Sequence, residues 1–205
     1  MSALVDLRPG LHRWTALHPD WEPDPEPESP ADWPQEVGSV AYEAPDALVL
    51  VDPLVPADAE TGFWAEMDAL VERHGRRVAV LTTIGFHRRS RDAFVARYGA
   101  TTSRAKRRLP AEVETIQIHR AGETMIWLPE HGALVPGDRI LGADGGGLRL
   151  CPASWLRYLP SGMTLEGLRK ALEPLLDLPI ELVLASHGEP VLANGRGALA
   201  AALAA

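Results

Sequence analysis

The feature that most constrains the fold is a pair of short apolar runs, Ala47–Val51 (ALVLV) and residues 78–82 (VAVLT). Each has the length of one buried strand, and the first stops at Asp52-Pro53. Between them Phe63, Trp64, Met67, Leu70 and Val71 recur at helical spacing, so Glu60–His74 reads as an amphipathic helix. Arg91–Tyr98 reads as a second helix, with Phe94, Val95 and Tyr98 on one side and Gly99 as its cap. Residues 113–119, 124–128 and Ala133–Val135 follow as short strands, the last two joined by a turn at 129–132. Leucines 165, 168, 172, 175 and 176 mark a helix over 164–176, residues 180–185 a strand, and Gly195–Ala204 an Ala-rich helix. Strand pairs mixed with peripheral helices predict a layered α/β or α+β domain.

At 205 residues, with 46% hydrophobic and 23% charged, the chain has globular composition, which excludes wholesale disorder and predicts one domain over 1–205. Residues 19–34 are rich in proline and acid, so 1–36 is expected to be an N-terminal loop region packed on the body through Trp21 and Trp33. The single cysteine, Cys151, excludes an intramolecular disulfide framework and any multi-cysteine zinc site; it reads as a buried, inert thiol. No basic-then-apolar leader and no membrane-length apolar run is visible, so a cytoplasmic protein without membrane partners is expected.

The net charge of -8 hides a segregation. Residues 14–72 carry 15 acids and no Lys or Arg, whereas 73–108 carry 11 Lys and Arg and only Asp92. Overall acidity argues against a nucleic-acid binder, while the basic tract could draw in a small anionic molecule. Arg104, Lys106, Arg107 and Arg108 read as a solvated face. The 144–147 loop (DGGG) is open between lining a cleft and being a plain turn, and it lacks the context of a dinucleotide fingerprint. His18, between Trp14 and Trp21, could reach the cleft from the N-terminal loop, but packing on the surface is the preferred reading.

Four polar residues stand at strand ends, where a sheet fixes a side chain and a loop leaves room for a ligand: His87, His119, Asp138 and His187. Imidazole and carboxylate donors suit zinc or iron. The order of features, with Asp52 after an early strand, a Thr-rich turn, Pro136-Gly137-Asp138 and then Ser186-His187-Gly188-Glu189-Pro190, resembles the metallo-β-lactamase fold over about 37–192. The stretch HRAGETMIWLPEHGALVPGD looks like that family's middle segment, where a Gly-His-Thr turn precedes a hairpin and a Gly-Asp. The resemblance implies an α+β fold, an αββα sandwich of two mixed sheets flanked by helices, with the site at one sheet edge. It implies that Asp138 is a metal-bridging, catalytic carboxylate and His187 a ligand of the second metal, and it puts His119 where the first metal takes its third histidine.

The family's His-x-His-x-Asp-His motif is broken here. After Leu81-Thr82 come Thr83-Ile84-Gly85-Phe86-His87-Arg88, so Thr83 and Gly85 replace both first-metal histidines, His87 takes the Asp position and Arg88 the last His position. What survives is a mononuclear set, His87, Asp138 and His187, for one divalent zinc or iron ion. On that reading the protein is a metal-dependent hydrolase of a small anionic ester, with Arg88, Arg89 and His119 as substrate-binding residues. The alternative is a metal-free binding or scaffold protein in which Arg88 pairs with Asp138. A homodimer is compatible with either.

Overall fold

The computed structural model describes residues 4–102 and 109–205. One sheet contains β1 (Val5–Arg8), β2 (Leu11–Leu17), β3 (Glu36–Ala44), β4 (Ala47–Val51), β5 (Arg77–Leu81) and β6 (Thr101–Thr102), in that order. Its first four strands are antiparallel and its last two pairings parallel, with α1 (Glu60–His74) and α2 (Arg91–Tyr98) as the crossovers. Next come β7 (Glu114–Ile118), β8 (Glu123–Leu128) and β9 (Ala133–Val135), then a separate hairpin of β10 (Ile140–Ala143) and β11 (Gly147–Leu150). After α3 (Leu165–Leu172), β12 (Leu182–Val183) pairs parallel with β9, completing a second mixed sheet; α4 (Gly195–Ala204) ends the chain.

Side-chain alternation explains why the β4 run is apolar throughout. Ala47, Val49 and Val51 enter the layer between the sheets, against Ile126, Leu128, Val135 and Leu182. Leu48 and Leu50 point the other way, onto Phe63 and Met67 of α1 and Phe94 of α2. On the far side Trp127, Leu134 and Val183 meet Leu168 and Leu172 of α3 and Leu199 of α4. The layers are therefore helix, sheet, sheet, helix: the αββα sandwich of two mixed sheets.

Several sequence expectations are corrected. The 1–36 region is not a loop throughout, because residues 5–17 form β1 and β2 and only 18–35 is irregular. The helix expected over 164–176 stops at Leu172 and continues as a 3-10 turn, Glu173–Asp177, because Pro174 has no N–H to donate. The strand expected over 180–185 contracts to Leu182–Val183. Residues 144–146 are the exposed turn between β10 and β11, and Gly147 opens β11. Arg104, Lys106, Arg107 and Arg108 lie outside the described residues. Among the described residues no helix is long and apolar enough to cross a membrane.

Candidate metal centre

The site is built at the sheet edge where β4, β5, β9 and β12 release their chains into loops. Asp52 directly follows β4 and adopts a left-handed backbone (φ 47°), a turn that Asp tolerates better than most residues. Its carboxylate accepts from the Thr83 backbone N–H at 2.9 Å and the Thr83 hydroxyl at 2.5 Å. It also lies 2.9 Å from His87 Nδ1, on the short 3-10 turn Gly85–Arg88 beyond β5. With Nδ1 held by Asp52, Nε2 of His87 is turned toward Asp138, which follows β9.

His187, beyond β12, is held by backbone. Val37 of β3 forms a bridge with it, Gly38 N–H donates to the Ser186 carbonyl at 2.8 Å, and Gly142 N–H donates to the His187 carbonyl at 2.8 Å. This approach requires glycine: a Cβ on Gly142 would fall 2.0 Å from the Glu189 carbonyl oxygen.

The result is one donor atom from each of His87, Asp138 and His187, all within 4.8 Å of one another. Asp138 Oδ1 stands 2.9 Å from His87 Nε2 and 3.4 Å from His187 Nε2, yet neither contact has the geometry of a hydrogen bond, and the buried oxygen has no other partner. The Asp52–His87 contact is the kind of outer carboxylate that orients a ligating imidazole. Burial opposes charge on His87, but Asp52 and Asp138 outweigh it and raise its pKa to about 9. Burial likewise disfavours a charged Asp138, and the two histidines more than reverse this, holding it well below the usual carboxylate range. His187 is pushed down, chiefly by burial.

Glu123, at the start of β8, is a residue that the sequence pattern does not single out. It is buried, and its carboxylate accepts three successive backbone N–H groups, from Gly137 at 3.0 Å, Asp138 at 2.7 Å and Arg139 at 2.9 Å. Burial and the neighbouring Asp138 raise its pKa to about 7. Space around it is tight, since a Cβ on Gly137 would lie 2.7 Å from Thr83 Oγ1 and 3.1 Å from Glu123 Oε2. The triplet Gly122-Glu123-Thr124 before the hairpin is the available signal. It stands where the Gly-His-Thr turn is expected, whereas His119 follows β7, is exposed and does not line the cavity. The expectation for His119 is therefore corrected: it stands apart from the donor set, and Glu123 is the buried ionisable residue next to Asp138.

The donors lie in the wall of a cavity of about 530 Å³. Arg89 also lines it, with its guanidinium bonded to the carbonyls of Gly38 (2.8 Å) and Asp52 (2.9 Å) and to Ser186 Oγ (2.7 Å), so it first of all ties loops together. Arg88 is exposed, does not line the cavity and forms no ion pair with Asp138; its expected roles as anion holder and as metal substitute are both corrected. Of the two readings of His18 the cleft one holds: it lines the cavity and packs edge-on against Trp33. Cys151 is buried, and burial raises its thiol to about 11, in keeping with an inert side chain.

No family model matches this sequence, and no curated protein matches it. Solved structures do. A metallo-beta-lactamase from Hirschia baltica is 18% identical with a TM-score of 0.60, over 98% of this chain and 95% of that one. The metallo-beta-lactamase IND-7 is 16% identical with a TM-score of 0.59, over 98% and 97%. A metallo-beta-lactamase family protein from Thermus thermophilus is 16% identical with a TM-score of 0.52, over 97% and 80%. With the layer order and strand topology above, these likenesses establish that the chain has the metallo-β-lactamase fold.

Proposed function

We propose that this protein is a divergent metallo-β-lactamase-fold hydrolase that holds one divalent cation, zinc or iron, through His87, Asp138 and His187 and cleaves a small anionic ester-type substrate. The observation that carries the reading is the convergence of three donor atoms within 4.8 Å, with Asp138 Oδ1 buried and without a hydrogen bond. Among the described residues this is the one His/Cys/Asp/Glu group with such spacing, in keeping with a single ion. When bound, a cation of this kind supplies Lewis acidity and acidifies water toward neutral pH. The chain's part is to fix the donors: Asp52 sets the His87 ring, Glu123 the Asp138 loop, and Gly142 the His187 loop. Arg89 contributes positive charge to the cavity wall, where a substrate anion would rest.

A second reading is favoured by the position of His87 between Asp52 and Asp138, 2.9 Å from each. A protonated imidazole there neutralises the cluster without a metal, leaving a binding protein that keeps the fold. Metal analysis of protein purified without chelator separates the two. The hydrolase reading expects close to one zinc or iron per chain, lost in Asp138→Ala together with chelator-sensitive esterase activity. Trace metal only, with no uptake on titration, rejects it in favour of the metal-free protein.

A further inference from the structure

Five large hydrophobic side chains are strongly exposed among the described residues, and the two aromatic ones both border the cavity: Phe86, 83% exposed, and Tyr158, 74% exposed. Phe86 adjoins His87 on the 3-10 turn, and Tyr158 stands just beyond the turn Ala153–Leu156. Deeper in, Trp33 and Trp155 pack edge-on against His187, with ring centroids 5.6 and 5.8 Å away. These walls are held in place. Trp155 Nε1 donates to the Ser29 carbonyl at 3.3 Å, which ties the 18–35 loop to the body, and Trp21 Nε1 donates to the Trp33 carbonyl at 2.9 Å within that loop. Aromatic rings left uncovered beside a polar centre gain by burial against a ligand's apolar surface and by ring-to-ring contact.

The charge of the same loop narrows the ligand further. Residues 18–35 carry Asp20, Glu22, Asp24, Glu26, Glu28 and Asp32 and no Lys or Arg, and Asp20 itself lines the cavity. Arg89 and Arg139 line the cavity beside the donor set, so a single negative charge has partners there, while each further negative charge meets Asp20 and the field of the acidic segment that carries it. A cavity of about 530 Å³ is the size of an ordinary small-molecule site.

We infer that the cavity selects a substrate with an aryl or similarly flat apolar group beside the scissile bond and no more than one negative charge, and that it turns away nucleotides and other polyanions. The cleavage rests on the hydrolase reading; the recognition does not. The test uses metal-stripped wild-type protein, with 2-naphthoate, acetate and ADP as probes, read by quenching of Trp33 and Trp155 fluorescence and by calorimetry. The expected result is 2-naphthoate binding about tenfold or more tighter than acetate, with ADP weakest. Phe86→Ala and Tyr158→Ala, both at exposed positions and checked for unchanged circular dichroism, should each weaken 2-naphthoate roughly 2- to 10-fold. Equal binding of 2-naphthoate and acetate, tighter binding of ADP, or unchanged affinity in both variants overturns the inference. Asp138→Ala keeps the two readings apart. If the wild type takes up no metal but Asp138→Ala and wild type both prefer 2-naphthoate, the hydrolase reading falls and the aryl site stands. If metal binds and no aryl preference appears, the reverse holds.

Discussion

Glu123 fixes the Gly137–Arg139 backbone by accepting its three successive N–H groups, and so aims Asp138. Glu123→Gln removes one acceptor oxygen and points an amide N–H₂ toward backbone donors, leaving a buried N–H unsatisfied at a cost of about 1–3 kcal/mol. Chemical denaturation of the variant should show that loss, and metal titration should show affinity lower by about 10- to 100-fold, the usual effect of disturbing a ligand's outer partner. His87, Asp138 and His187 are legible in the sequence because each follows a strand that its own apolar run announces. Glu123 is not, because a lone acid at a strand start looks like any exposed glutamate until the fold buries it. Arg88 misleads for the opposite reason: its motif position suggests a cleft, but the 3-10 turn directs it to solvent.

At the scale of elements, α1 and α2 are readable to their ends because apolar spacing and a following glycine coincide; Gly75 and Gly99 both take left-handed caps. The first three strands are not readable. β2 mixes His12, Arg13 and Thr15 with Trp14 and Ala16, and its buried His12 finds Asp6 at 2.6 Å and Glu43 at 2.8 Å only once β1 and β3 are alongside. Thr164 caps α3 by accepting from Gly167 N–H at 3.1 Å, so Thr164→Ala should lower unfolding free energy by about 1 kcal/mol, measurable in urea. Between α1 and α2, Arg97 bonds both oxygens of Asp68, Tyr98 adds a third contact, and together they hold the Asp68 carboxyl at about 2. Because this pKa is lowered from 3.8, the tie is fully present above that value and is lost as pH falls toward 2. NMR titration should find the Asp68 carboxyl near 2 in the wild type and nearer 3.8 in Arg97→Ala.

For the whole molecule, some charges of the acidic and basic stretches pair across the fold: Arg73 with Glu43, Arg77 with Asp46 and Arg97 with Asp68. Of the acids of 18–35, Asp20 lines the cavity instead, a placement that segment composition could not reveal. A cation that binds the folded protein and not the unfolded chain adds about 2.7 kcal/mol at a hundredfold excess over its Kd. For a chain of this length that corresponds to a Tm rise of roughly 5–10 °C. Differential scanning calorimetry with and without zinc should show the rise in the wild type and none in Asp138→Ala.

His87 hangs from one sheet and Asp138 from the other, while His187 leaves the second sheet and is bridged to Val37 of the first. An ion seated among them is thus a rivet through two plates, and its grip reports how squarely they are stacked. On the single-ion reading, mutations far away that let the plates slip by a fraction of an ångström would surface first as poorer retention of that ion, before the protein melts.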